Sequence, residues 1–185
     1  MYNIKNMSES KVQHDSATPA HGQQVITAVA FIHRKVDGVD KVFLPKRAAT
    51  KVFLPGLYEM PGGHTDFGEE IKESLHREIM EELGVHVSLG DCFTAFTYQN
   101  NVKRSHSIEV VYFAKFVDPL DKITTHPEDH SGFEWFSRAD IIARKNEIIP
   151  PKDATSVNHN HGEDPEYEAI LKGFDLLGGK GLALG

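Results

Sequence analysis

Residues 25–31 read VITAVAF, a nearly continuous run of β-branched and apolar side chains. Successive side chains of a strand point to opposite faces. An apolar run with no alternation therefore predicts a strand buried on both faces. A two-sided strand is the strongest constraint in this chain, because it requires packed layers around a sheet. The 185 residues suffice for one full core and are too few to expect two.

The remaining pattern supplies strands and helices in mixed order. Asp37-Gly38 marks a turn, and residues 41–44 return as a second strand, a hairpin signal. The pentapeptide KVFLP at 41–45 recurs at 51–55, which reads as coincidence between adjoining segments. Glycine and proline crowd residues 55–68, so this stretch is loop with at most a short strand near 59–60. Over 69–83 the period becomes helical: Ile71, Leu75, Ile79 and Leu83 form one stripe, and Gly84 stops it. Residues 85–89, 93–98, 108–117 and 133–136 read as strands, with a polar hairpin tip at 100–104. Ser137 is an N-cap for a short helix to 143, with Pro150-Pro151 closing that section. Asp164-Pro165 starts a last helix to about 177. The order predicts one α/β domain at 23–178, flanked by a polar tail at 1–22 and a second tail at 179–185.

The helix carries Glu69, Glu70, Glu73, Glu78, Glu81 and Glu82. Glu78 lies three and four residues before Glu81 and Glu82, so like charges crowd one face. Glu81 and Glu82 also sit in the last turn, where the helix dipole disfavours acids. Each penalty is a few tenths to about 1 kcal/mol, and all have the same sign. A hard divalent cation such as Mg²⁺ or Mn²⁺ reverses that sign, because it prefers clustered carboxylate oxygens.

The spacing from Gly63 resembles the signature of a known family. The Nudix box has the pattern G-x5-E-x7-R-E-U-x-E-E-x-G-U, with U a bulky aliphatic. Here Gly63, Glu69, Arg77, Glu78, Ile79, Glu81, Glu82, Gly84 and Val85 occupy every specified position. The approach LPGLYEMPGG at 54–63 is also similar to that of many members. The resemblance implies a Nudix-type α/β/α sandwich with a mixed sheet. It implies hydrolysis of a nucleoside diphosphate linked to another group, with Mg²⁺ or Mn²⁺ as cofactor. On that likeness Glu78, Glu82 and Glu81 are metal ligands, joined by the Gly62 carbonyl. Glu78 and Glu81 are also candidates for the chemistry, and Arg77 orients the carboxylates. Homodimers are common among members.

Outside the box, the acidic segment 118–132 is long for a connection and suits a flexible loop over the site. It offers Glu128 as a catalytic base or additional metal ligand, with Asp129 beside it and Glu134 as a control whose role is structural or none. Lys46 and Arg47, at the end of a strand, and Tyr98, an aromatic able to stack on a base, are the expected substrate contacts. Lys103 and Arg104 read as solvated tip residues. The pairs His126 and His130, and His159 and His161, lack any cysteine partner for a metal cluster.

Charge and composition narrow the class. A formal net charge of -7 excludes nucleic-acid or anionic-membrane binding through bulk charge. Cys92 is the only cysteine, so an intramolecular disulfide is impossible, as expected of a cytoplasmic protein. The first thirty residues lack an apolar signal segment, and no apolar run spans a bilayer. The expected substrate is a nucleotide-like small molecule: a (d)NTP or modified nucleotide ahead of ADP-ribose or a nucleotide sugar. An isopentenyl diphosphate isomerase needs a well-placed cysteine, and Cys92 falls in a strand past the box. A non-catalytic nucleotide sensor is disfavoured by the complete carboxylate set. EDTA is expected to abolish activity, and Glu82→Gln to cut kcat severely in a protein that still folds. Full turnover in EDTA would end this reading.

Overall fold

The computed structural model describes residues 24–150, 157–158 and 164–180. The expected tail at 1–22, most of that at 179–185, and His159 and His161 lie outside the described residues. Strand β1 (Gln24–Val36) is the spine. The other strands are β2 (Val39–Arg47), β3 (Gly62–His64), β4 (Val87–Asn100), β5 (Ser105–Phe116), β6 (His130–Ser137) and β7 (Val157–Asn158). They form one mixed sheet in the order β6-β2-β1-β5-β4-β7, with β3 also on β1. β5 runs parallel to β1 from Gln24 to Ile32. The opposite edge of β1 is shared, β2 pairing with His33–Val36 and β3 with Thr27–Val29. Between them Ala30 N–H donates to the Pro61 carbonyl at 2.9 Å. β2 thus leaves β1 halfway along and continues against β6. That split brings the loop before the box onto the middle of the sheet.

Both faces of β1 are covered, as the run at 25–31 predicts. Ala28, Ala30 and Ile32 pack with Leu75, Ile79 and Leu83 of helix α1 (Ile71–Leu83). Val29 and Phe31 point the other way, into a core with Ile141 of α2 (Arg138–Ala143) and Ile170 and Phe174 of α3 (Pro165–Leu177). The fold is an α/β/α sandwich. α2 opens with the expected Ser137 cap in a full capping box with Asp140. Asp164 caps α3 by accepting from Glu166 and Tyr167 N–H, and Pro165 follows at N1.

Several elements depart from the sequence reading. α1 begins at Ile71, because Glu69 turns back to accept from Asp66 N–H and to bind Arg77. The strands read at 85–89 and 93–98 are one strand, β4, interrupted by register shifts between Leu89 and Thr94. The short strand forms at Gly62–His64, while Tyr58 makes an isolated bridge to Lys46. The two KVFLP copies fold differently: 41–45 lies within β2, whereas 51–55 is loop with Leu54 at φ 49°. The segment 118–132 is docked at the end of α1. Thr124 N–H donates to the Leu83 carbonyl at 3.0 Å and His126 N–H to that of Glu82 at 3.2 Å. The last carbonyls of a helix lack intrahelical partners, and this segment supplies them.

Phe31 shows how tightly the layers meet. Its ring makes edge contacts with Phe93, Phe113 and Phe174 at centroid distances of 5.9, 5.7 and 5.3 Å. Gly173 of α3 passes directly over it: a Cβ there would stand 2.7 Å from Phe31 Cε2. Helix propensity favours alanine over glycine by up to ~1 kcal/mol. Overpacking a close-packed core costs about 1–3 kcal/mol, and three rings hold Phe31 in place. Gly173→Ala is therefore expected to lower stability in urea denaturation. An equal or higher midpoint would show that the Phe31 ring has room to move.

Candidate active site

Helix α1 leans on β3, and two glycines set the distance. Gly62 has φ 141°, and a Cβ on it would run into the Ala28 carbonyl and Val29 Cα. The place a Gly63 Cβ would take is filled by the Glu78 carboxylate. The glycine pair therefore lets the strand lie against β1 and admits the Glu78 head group over it. Gly62 N–H donates to Glu82 Oε2 at 3.3 Å. Glu78 and Glu82 thus meet one short stretch of backbone.

Arg77 bridges the acids. Nε and Nη2 donate to the two Glu69 oxygens at 3.0 and 2.9 Å. Nη1 donates to Glu78 Oε1 at 2.7 Å and Glu81 Oε2 at 3.3 Å, and Nη2 also donates to the His64 carbonyl at 3.0 Å. The bonds to Glu69, and after them those to Glu78, raise the guanidinium above its already high range. These bonds tie Arg77 to the carboxylates of Glu69, Glu78 and Glu81.

A cavity of about 310 Å³ opens beside these residues. Gly62, Gly63, Glu78, Glu81 and Glu82 form one wall. Glu59, Glu109, Asp164 and Glu166 line the interior, Phe53, Phe96 and Tyr98 supply aromatic surface, and Arg47, Lys51 and Lys103 supply cations. Burial, and then the charges of Glu59 and Glu78, push Glu82 well above the ordinary carboxylate range. Burial first, and Glu59 next, push Glu109 up to about 8, although Thr27 and Tyr98 hydrogen-bond to it. Glu166 is likewise raised, by burial and then by Glu109, while its Oε1 accepts from Met60 N–H at 2.7 Å. Burial alone would raise Glu59, but Arg47 and then His130 hold it below its usual value.

The sequence-derived candidates divide. Glu78, Glu81, Glu82, Gly62, Arg47 and Tyr98 line the cavity together. Arg47 is already engaged: Nη1 donates to both Glu59 oxygens at 2.7 and 2.8 Å, and Nε to the Phe53 carbonyl at 2.8 Å. Lys46 is not among the lining residues. Neighbouring strand residues point to opposite faces, and its ammonium lies 5.0 Å from the Tyr58 ring centre. Glu128 is exposed and also outside the lining. Its neighbour Asp129 reaches the cavity and pairs with Lys51. Glu134 is tied to Tyr58 and Arg144, a structural part that suits a control residue. Lys103, read as a solvated tip residue, is 8% exposed and lines the cavity.

Sequence reasoning missed Glu59, Glu109 and Glu166 as cavity residues. A signal for Glu109 exists in β5, where Ser105, Ser107, Glu109 and Val111 share the buried side of the alternation. Three polar residues on the inner face of a strand mark a place where that face meets a cavity instead of the core. Glu166 gives no such sign, because an acid in the first turn of a helix is common for dipole reasons alone.

Among the described residues no three His, Cys, Asp or Glu side chains already stand as a ligand group for a metal. The donor set still fits a hard divalent ion. Glu78 and Glu82 converge on a glycine backbone that offers carbonyl oxygen, every donor is oxygen, and burial followed by the charges of Glu59 and Glu78 raises the Glu82 carboxylate, a cost that a bound cation would offset.

An α/β/α sandwich with a carboxylate-bearing helix packed on a glycine turn, at the wall of an acid-lined cavity, is an architecture suited to hydrolysis of phosphoric anhydrides. The NUDIX domain family model matches residues 24–156, and the chain belongs to that family. It is a pyrophosphohydrolase in class, of a family acting on nucleoside diphosphate derivatives. Among its relatives is a protein named nucleoside triphosphatase NudI from Escherichia coli, 26% identical over 106 residues, covering 54% of this chain and 74% of that one. The crystal structure of a MutT protein from Methanosarcina mazei superposes with a TM-score of 0.63 at 19% identity, covering 85% of this chain and 96% of that one. A Caenorhabditis elegans Ap4A hydrolase in a binary complex gives 0.61 at 21% identity, covering 84% and 98%. Both structures share the fold. Among the described residues no helix is long and apolar enough to cross a membrane.

The raised carboxyl of Glu109 has a consequence for stability. Its folded form keeps a proton that the unfolded chain releases near its ordinary value of 4.5. Stability owed to this group is therefore lost as pH rises from about 4.5 through about 8. In metal-free buffer, the melting temperature of Glu109→Gln relative to wild type should climb steadily between pH 5 and pH 8. Parallel melting curves across that range would show that Glu109 ionises normally.

Proposed function

We propose that the chain is a divalent-metal-dependent hydrolase of a (d)NTP or modified nucleotide, in which water attacks phosphorus. The observation that carries this reading is the convergence of Glu78 and Glu82 on the Gly62-Gly63 backbone, at the wall of a cavity wide enough for a nucleotide. The triphosphatase named among the relatives supports a triphosphate in particular. The complete acid set argues for catalysis over mere sensing.

In this reading Glu78, Glu82 and the Gly62 carbonyl hold Mg²⁺ or Mn²⁺, with Glu81 as a further ligand directly or through water. The chemistry such an ion supplies when bound is charge neutralisation on adjacent phosphates and a lowered pKa for water. Arg77 keeps Glu78 aimed into the cavity and is a positioning residue. Phe53 and Tyr98 offer near-parallel rings, 6.1 Å apart at an interplanar angle of 17°, as apolar surface for a base. Arg47 contributes through Glu59 and the Phe53 carbonyl, by fixing the loop that carries this ring. The lone cysteine and the absence of a long apolar run support a cytoplasmic setting.

The proton acceptor is best supplied by Glu81. It lines the cavity, its side chain is 56% exposed and so reachable by water, and its bond to Arg77 is the longest of the acid contacts at 3.3 Å. Glu69 is held by two Arg77 nitrogens, and exposed Glu128 lies outside the lining. Loss of a general base costs about 10²–10⁴ in rate. Glu81→Gln should lose that much kcat at saturating Mg²⁺, whereas Glu128→Gln should remain within a few-fold of wild type. The reverse order would return the base to the 126–130 turn. A nucleotide library assayed with Mg²⁺, Mn²⁺ and EDTA tests the wider reading: no metal-dependent release of phosphate or pyrophosphate from any (d)NTP would overturn it.

A further inference from the structure

We propose that Glu109 is a specificity-determining residue: from the floor of the cavity it pairs with a base that sets an exocyclic amine beside a bare ring nitrogen, the edge of cytosine or adenine. This rests on the proposed function in taking the ligand to be a nucleotide. Adjacent strands build the floor. Directly paired residues of neighbouring strands share a face, and Glu109 of β5 lies opposite Thr27 of β1 and Phe96 of β4. Val29, two residues beyond Thr27, and Tyr98, two beyond Phe96, point the same way, and all of these line the cavity. Glu109 is therefore a carboxyl set among two aromatic rings and a valine, and it is 7% exposed. A polar group placed in an otherwise apolar lining is what fixes the orientation of a bound ligand.

The surroundings decide the form in which Glu109 meets that ligand. The Thr27 hydroxyl donates to its Oε2 at 3.2 Å, and the Tyr98 hydroxyl also bonds to the carboxyl. Both bonds favour the ionised form. Against them stand burial and the negative charge of Glu59, from the loop before β3, and of Asp164 and Glu166, from α3. Burial and the acids prevail, and the carboxyl keeps its proton up to about pH 8. A protonated carboxyl presents an O–H donor beside a carbonyl acceptor. That pair matches an edge in which an amine N–H stands beside a ring nitrogen with a lone pair. Uracil instead sets a carbonyl beside a ring N–H, and its acceptor is the less basic of the two. Sharing the proton with the cytosine nitrogen leaves partial positive charge on the base. Glu59, held ionised by Arg47 and His130, attracts such charge. The amino base is thus preferred to the oxo base.

The test uses probes that differ only at this edge: CTP and UTP for hydrolysis in Mg²⁺, and CMP and UMP for equilibrium binding in EDTA. At pH 7 wild type should bind CMP about ten-fold or more tighter than UMP, with the same order in kcat/KM for the triphosphates. Glu109→Met should bring both ratios close to one. Glu109→Gln, whose amide still offers a donor beside an acceptor, should keep them. As pH rises through about 8, CMP binding should weaken in wild type and hold in Glu109→Gln, a difference that packing alone does not produce. A Glu109→Met ratio equal to that of wild type, a wild-type preference for uracil, no binding of either monophosphate, or parallel pH curves would overturn the proposal. Hydrolysis of CTP and UTP without a base preference removes this inference and leaves the hydrolase. A cytosine preference in binding with neither triphosphate hydrolysed supports this inference and tells against the hydrolase reading alone. Should Glu109→Met fail to fold, the pH comparison of wild type with Glu109→Gln decides.

Discussion

The Arg77 guanidinium makes the site possible. A helix that places Glu78, Glu81 and Glu82 within one turn, with Glu69 folded back beside them, concentrates negative charge where its own dipole is also negative. Arg77 answers with bonds to Glu69, Glu78 and Glu81 and to the His64 carbonyl. It therefore joins the loop before the helix, the helix itself and β3 in one network. Glutamine at this position could not reproduce the planar fork, and lysine would offer a point charge in place of five directed donors. The box reads as a run of acids in sequence; in three dimensions it is an arginine with its ligands.

The backbone beneath that network depends on β1. Its buried residues pack α1 from one face and α3 from the other, so the helix that carries the acids is fixed to the sheet through Leu75, Ile79 and Leu83. Its shared edge matters as much. Because β2 departs and β3 replaces it at Thr27–Val29, Gly62 and Gly63 are hydrogen-bonded to the sheet directly below Glu78. A bulkier residue at Gly63 would displace the Glu78 carboxylate, and one at Gly62 would meet the Ala28 carbonyl. The split sheet, the glycine pair and the acid helix are one geometric solution.

The sequence made the local patterns legible and left the long-range ones hidden. Unbroken apolar residues announced β1, the four-residue stripe announced α1, and Asp164-Pro165 announced α3 to the residue. The family spacing led to Glu78, Glu82 and Arg77. What stayed hidden depends on partners far away in the chain. That Glu69 would leave the helix follows from its reach to Arg77, and that 118–132 would dock follows from the unsatisfied carbonyls at the end of α1. Glu59, Glu109 and Glu166 come from a loop, a strand and a helix that meet only in the folded protein. No window of sequence contains that meeting. Lys103 was misread for a simpler reason: tip residues are usually solvated, and the inward fold depends on the Asn100 side chain.

The charge of the cavity sets a last constraint. Eight carboxyl groups line it (Glu59, Glu78, Glu81, Glu82, Glu109, Asp129, Asp164 and Glu166), against three lysine or arginine side chains. Counted at face value, that wall would repel a polyphosphate. The structure divides the acids by environment. Glu59, Asp129 and Glu78 have cationic partners in Arg47, Lys51 and Arg77. Glu109 and Glu166 are pushed towards the protonated form by burial and then by neighbouring carboxylates. Burial, and then the charges of Glu59 and Glu78, raise Glu82 in the same direction, on the glycine backbone where a bound divalent ion would offset that cost. On the proposed function, such a pocket would admit a phosphate chain together with its metal, and substrate entry would depend on the same residues as hydrolysis.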